Sequence, residues 1–437
     1  MKKKKLIRIT TSDISLDSLI KGQLRFMNQY FEVIGVSNNT GVLKSVGRRE
    51  GVRVIEVPMH REISLKADFS CLWKLYKLFR EERPDIIHAN TPKGSLLSMM
   101  AGKIAGVKHR VYTVTGLRYQ GAKGLFRWIL MMMERVTCAC ATKVIPEGEG
   151  VLHTLQMDHI TSKPLQVLHH GNINGIDTTY YSYEALQTAN YTNFTNDGET
   201  TNYTDCTNLK SEATIRGISA IRSNPENADD VIRSLRRNLG FTDKDFVFVF
   251  VGRIVKDKGI NELTRCMQKL TTNYSEDETG RASCTPKLLL VGSFDNDDPI
   301  EASNAIFLKS SPDVKAVGWQ EDVRPFLAAA DVLVFPSYRE GFPNAPIQAG
   351  AFGLPSIVTK INGCDEIIQN GVNGKIIPAA LTSGSEVMEN ALFHAMKWFM
   401  EHPEEVKKMS RNCRELITSR YEQKDVWAAT LRMYQTL

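Results

Sequence analysis

Arg253, Lys258 and Glu340 are the residues of this 437-residue chain whose types and spacing suit chemistry on a charged, hydroxylated ligand. Two cations close together after an apolar run can neutralise a diphosphate. Electrostatic stabilisation of a departing anion is commonly the largest catalytic contribution. Glu340 can accept hydrogen bonds from hydroxyls. It lies just before Pro343, and proline suits the start of a helix because its missing N–H costs nothing there. A helix N-terminus presents free N–H groups and a partial positive charge, again suited to phosphate or hydroxyls. Gly341, Phe342 and Asn344 flank that end, and Gln348 stands about one turn further on.

Two strand–loop–helix units must position these residues. The continuous apolar run Phe246–Val251 fits a strand buried on both faces, and Gly252 breaks it. Ile260, Leu263, Met267 and Leu270 then recur at helical spacing. Asp331–Phe335 reads as a second buried strand, and the helix opened by Pro343 stops at Gly353, with Pro355 beyond it. In open α/β sheets, ligands bind at the carboxyl ends of such strands. The alternation runs through the rest of the chain. Strands are expected at Leu6–Thr10, Phe31–Val36, Val52–Val57, Asp85–His88, Arg110–Val114, Thr142–Ile145 and Leu165–His169, with a helix at Leu72–Glu81. Later strands are expected to start near Phe246, Leu288, Val314, Val332 and Ser356, and Val426–Leu437 reads as a closing helix. The pattern predicts an α/β protein with doubly wound parallel sheets.

One stretch breaks the pattern. In residues 188–208, twelve of twenty-one positions are Thr or Asn, without an apolar period, so a disordered insertion is expected. A smaller polar insertion is expected over 271–286.

The two units together resemble the donor-binding half of a retaining glycosyltransferase of family 4. That family has the GT-B fold, two Rossmann-like domains facing a central cleft. The family signature of Glu, seven residues and Glu matches Glu340 and Gln348, and its diphosphate-binding Arg and Lys match Arg253 and Lys258. Gly318–Asp331 before the signature, and Gly353–Ile367 and Asn370–Gly374 after it, continue the family pattern. The resemblance implies an acceptor-binding domain over 1–171, a donor domain over 172–420, and a helix over 421–437 that crosses back. It implies transfer of a sugar, with retained configuration, from a nucleotide-diphosphate donor whose base is expected to be uracil. Arg253, Lys258 and Glu340 would be catalytic. Gly252, Gly318, Gly341, Phe342, Pro343, Asn344 and Gln348 would bind the donor, and no metal or other cofactor is expected. The closest look is to capsule and O-antigen enzymes, so the expected acceptor is a polyprenyl-diphosphate-linked glycan. Lys93, Gly94, Thr115 and Arg118 are candidates to contact it.

The chain departs from the family at two positions. Thr115 stands where the family commonly has a His at an N-domain strand end, and His88, near another strand end, does not match that position. Gln348 replaces the second signature Glu; it can still donate and accept hydrogen bonds but lacks the charge that strengthens them.

Composition narrows the remaining classes. Length allows two or three domains, and no apolar run is long enough to span a bilayer. The basic start lacks an apolar signal core and reads as a first strand. Eight cysteines show no metal-ligand spacing, as expected of free thiols in a reduced cytoplasm. The acidic run Asp295–Asp298 reads as a solvated loop. Between Lys93 and Lys143 there are nine Lys or Arg and one acid, Glu134, interleaved with Phe126, Trp128 and the apolar run Ile129–Met133. A basic helix with so wide an apolar face is expected to lie on the anionic cytoplasmic face of a membrane. No nucleic-acid motif accompanies the basic patch. Alternatives are a nucleotide-sugar 2-epimerase and a non-catalytic partner subunit, the latter motivated by Thr115 and Gln348. A nicotinamide-dependent oxidoreductase lacks its Gly-x-Gly-x-x-Gly after any strand.

Overall fold

A computed structural model describes residues 3–60, 64–187, 226–275 and 284–437. The expected insertion at 188–208 lies outside these residues, as do 276–283 of the second one. The remainder of that second insertion is ordered structure: 271–275 ends the helix Ile260–Ser275, and Thr285 opens a strand.

The apolar runs form two six-stranded parallel sheets. The first contains β1 (Lys5–Ser12), β2 (Glu32–Asn38), β3 (Arg53–Glu56), β4 (Ile86–Ala89), β5 (His109–Val114) and β6 (Lys143–Pro146), in the order β3-β2-β1-β4-β5-β6. The second contains β7 (Asp245–Val251), β8 (Thr285–Val291), β9 (Val314–Ala316), β10 (Val332–Phe335), β11 (Ser356–Thr359) and β12 (Gly374–Ile377), in the order β12-β11-β10-β7-β8-β9. Read from its other edge, the second sheet repeats the topology of the first. Each reverses winding direction between its first and fourth strands, and the crevice there receives ligands in doubly wound sheets. Register brings Ile7 beside Ile34 and Ile87, and Phe248 beside Leu288 and Val332. Ile7, Phe248, Leu288 and Val332 are all completely buried, as parallel strands covered on both faces require.

Two expectations are corrected. Leu165–His169 is not a strand; it makes one isolated bridge, Leu165 to Val144. Pro164 removes a donor just before it, and His169 has a positive φ of 55° that ends any extended run. β12 was not anticipated, because a strand of four residues beginning with glycine carries almost no pattern.

The chain passes between the sheets at two adjacent places. Ile176 bridges Glu422, with Ile176 N–H donating to the Tyr421 carbonyl (2.8 Å) and Gln423 N–H to the Ile176 carbonyl (2.9 Å). The helix Gln423–Gln435 then sets Leu431, Met433 and Tyr434 into the core of the first sheet beside Leu6 and Phe31. The seven cysteines among the described residues are free thiols.

Candidate functional site

The functional side chains rise from the carboxyl ends of β7 and β10, the two strands that flank the winding reversal. After β7 the chain turns at Gly252 (φ 152°) and runs through a short turn, Lys256–Lys258, before its helix. After β10 it runs through Ser337–Glu340 to Pro343, which adopts extended φ and ψ and precedes the helix Asn344–Ala351. Proline thus stands one position before the helix rather than on its first residue. Across this crevice the Lys258 ammonium pairs with the Glu340 carboxylate, and both side chains are largely buried. Ser337 Oγ donates to Glu340 Oε1 (3.0 Å) and holds the carboxylate in place. Arg253 is 55% exposed and pairs with Asp295 (2.9 Å). The acidic run Asp295–Asp298 is therefore no mere solvated loop. Asp298 also accepts from the N–H of Asp257 (2.7 Å) and, through its carbonyl, of Lys256 (3.1 Å), which shapes the turn that carries Lys258.

A row of glycines lets the backbone close up at this edge. Gly252 N–H donates to the Val291 carbonyl (3.0 Å), and Gly292 N–H to the Gly318 carbonyl (2.8 Å). A Cβ on Gly292, whose φ is 151°, would collide with the Gly252 carbonyl. Gly292 was missed in the sequence, although its context, an apolar run ending in glycine, repeats that of Gly252.

The remaining donor candidates face the first domain. Gly341 lies against the backbone of Thr115 and Gly116, where a Cβ would run into the Thr115 carbonyl. Phe342 is buried, with its ring 5.6 Å from that of Tyr421. Asn344 Oδ1 accepts from Asn172 Nδ2 (3.0 Å). Gln348 Nε2 donates to Tyr181 Oη (2.8 Å), and Gln348 and Asn344 line a cavity of about 380 Å3 beside the domain crossing.

On the first-domain side, Thr115 Oγ1 donates to the Asn90 carbonyl (2.6 Å). Gly94 N–H donates to Thr11 Oγ1 (3.0 Å) at the winding reversal of the first sheet. Arg118 is exposed in the turn Arg118–Gly121. Lys93 is placed differently from the expectation of a cation presented to an acceptor: it is buried, with its ammonium on Asp68 (2.6 Å).

Sequence reasoning missed three features. Glu366, in the short helix Cys364–Ile367, reaches across to the first domain. It accepts from the N–H groups of Glu149 (2.7 Å) and Gly150 (2.9 Å) and caps the helix Glu149–Met157. Gly148 leaves room for it, since a Cβ there would sit 2.8 Å from both Glu366 carboxylate oxygens. Glu147, next to this contact, is buried. Burial pushes its carboxyl up to about 8, and nearby Glu340 and Glu366 push the same way. The third feature is a buried polar network beneath the first sheet's carboxyl edge. Arg8 donates to His88 Nδ1 (2.6 Å) and Tyr434 Oη (2.7 Å), and His88 Nε2 meets Thr113 Oγ1 (2.7 Å). A guanidinium only donates, so Nδ1 is the acceptor and Nε2 carries the proton. Burial, with Arg8 alongside, holds the His88 pKa well below its usual value, so the ring is neutral.

Among the described residues, no group of three or more His, Cys, Asp or Glu is arranged to hold a metal ion, and no helix is long and apolar enough to cross a membrane. The helix Gly124–Cys140 leaves Leu125, Phe126 and Trp128 exposed.

Comparison with known proteins agrees with this geometry. The profile "Glycosyl transferases group 1" matches residues 245–418, and "Glycosyl transferase 4-like" matches residues 19–147. The chain is 26% identical over 441 residues to the capsular polysaccharide biosynthesis glycosyltransferase CapM of Staphylococcus aureus, covering 100% of this chain and 98% of that one. It is 24% identical over 430 residues to the Escherichia coli UDP-Gal:alpha-D-GlcNAc-diphosphoundecaprenol alpha-1,3-galactosyltransferase, covering 94% and 93%. In fold it matches HepE of Anabaena in complex with UDP and glucose, with a TM-score of 0.70 at 16% identity over 99% of this chain and 100% of that one.

Proposed function

We infer the reaction from what the chain is: a family 4 glycosyltransferase with the GT-B fold, of the capsular and O-antigen polysaccharide type. It moves a hexosyl or N-acetylhexosaminyl group from a UDP-linked donor, with retained configuration, to a polyprenyl-diphosphate-linked glycan at the cytoplasmic face of the membrane. The observation that carries this reading is the meeting of Lys258 and Glu340 at the winding reversal of the second sheet. In this reading Lys258 and Arg253 neutralise the departing diphosphate, and Glu340 holds donor hydroxyls once substrate displaces its ion pair. The positive end of the helix Asn344–Ala351 adds a fixed dipole. In this reading the two cations carry the charge that a metal would otherwise carry, so transfer is metal-independent. The UDP donor and diphospholipid acceptor follow the activity named for the Escherichia coli relative. The exposed apolar side chains of the basic helix Gly124–Cys140 supply the contact with the membrane.

The test begins with thermal shifts of the full chain against UDP, GDP, ADP and their sugars, since a ligand that binds the folded state raises its melting temperature. A shift with UDP compounds that is lost in Arg253→Ala is expected. Arg253→Ala and Lys258→Ala should each lower transfer about 10²–10³-fold with the fold intact. Near-normal turnover in both variants would refute the diphosphate assignment, and a shift with GDP alone would refute the uracil base.

A further inference from the structure

A second cavity, of about 360 Å3, has Glu340 in its wall. Its volume falls in the range of about 300–1,000 Å3 typical of small-molecule sites. Both domains line it, and three cations from separate elements converge there: Arg127 of the basic helix, Arg339 of the signature loop and Lys360 just after β11. Arg339 is held by Asp257 (3.1 Å), and Arg127 lies over the Tyr119 ring (5.5 Å to its centroid) and makes a long contact with Asp158 (3.5 Å), which also lines the cavity. Lys360 is exposed and makes no ion pair among the described residues. The cavity also has an apolar margin. Leu381, 51% exposed, is part of its wall, and Arg127 shares the first two turns of its helix with the exposed Leu125, Phe126 and Trp128. Solvent-accessible cations in the wall, with exposed apolar side chains on the adjoining helix, complement an amphiphile with an anionic head.

We propose that this cavity is the seat of the acceptor's diphosphate, held by Arg127, Arg339 and Lys360, while the lipid chain leaves over the exposed side chains of the helix Gly124–Cys140. This rests on the reading that the acceptor is lipid-linked. It moves the acceptor's anionic group away from Lys93, which Asp68 already neutralises in the interior. It also sets the two diphosphates on opposite sides of Glu340: the donor's at the Arg253 and Lys258 turn, the acceptor's at Arg127 and Lys360. The sugar attached to the acceptor diphosphate then lies between them, beside the carboxylate that orients the donor sugar.

The experiment titrates the full chain with farnesyl diphosphate and, separately, with farnesol, and follows tryptophan fluorescence, for which the half-exposed Trp128 is the reporter. Saturable binding of farnesyl diphosphate is expected, at least tenfold tighter than farnesol. The double variant Arg127→Gln, Lys360→Gln should weaken it at least tenfold. Lys360→Gln alone breaks no ion pair and should weaken it measurably, so the result does not depend on the fold of the double variant. Undiminished binding in both variants, or equal affinity for farnesol, overturns the proposal. UDP thermal shifts run in the same variants separate the two readings. UDP binding that persists while farnesyl diphosphate binding fails sinks only the acceptor site, whereas loss of UDP binding in the unaltered chain sinks the proposed function.

Discussion

At the scale of the residue, Gln348 puts different chemistry at the second signature position. The second signature position would carry charge in relatives; here an amide donates to Tyr181 and lines the cavity beside the crossing. Gln348→Ala should raise the KM for the donor about tenfold with kcat little changed, the pattern of a lost binding contact of about 1.4 kcal/mol. A fall in kcat at constant KM would instead make Gln348 part of the transition state's stabilisation. Arg253, Lys258, Glu340 and Gln348 were legible in sequence because each sits at a fixed distance from a strand that announces itself by apolar residues. Lys93 misled for a physical reason. A lysine after a strand end reads the same whether its ammonium faces solvent or a buried Asp68, and only the packing of one helix on another decides between them.

At the scale of the element, the Glu366 contact joins the domains through a helix end. The helix Glu149–Met157 has a glycine at its N-cap that offers no side chain, and the missing cap comes from the other domain. Hydrogen bonds to a charged group contribute about 1.5–3 kcal/mol. Glu366→Ala should therefore loosen the contact between the domains, seen as a larger radius of gyration in solution scattering, and lower kcat about tenfold or more. Gly148→Ala should act in the same direction, because a Cβ there meets both Phe342 and Glu366. Scattering curves that match the unaltered chain in both variants would show that Glu366 does not set the domain closure. Neither residue could be read as a pair from sequence, since they stand in different domains and no periodicity links them. The strands were nearly all legible, but short β12 and the proline-led Leu165–His169 mark where apolar pattern stops carrying information.

At the scale of the whole molecule, the helix Gln423–Gln435 ties the two halves. Tyr434 supplies one of the few partners of Arg8, a buried cation whose other contacts, to His88 and Asn90, are neutral and whose Nε has none. Tyr434→Phe should cost about 1–3 kcal/mol, read as a lower urea midpoint, with the UDP thermal shift unaltered. An unchanged midpoint would mean that His88 alone satisfies the guanidinium. The same tie has a consequence during synthesis. Nascent chains generally fold domain by domain as they emerge from the ribosome. Here residues 5–146 emerge with their sheet complete but with Arg8 short of a partner, and Leu431, Met433 and Tyr434 emerge only after the entire second sheet. The half of the enzyme translated earlier therefore waits for the half translated later, and a ribosome that stalls before Tyr434 leaves a first domain with an open core.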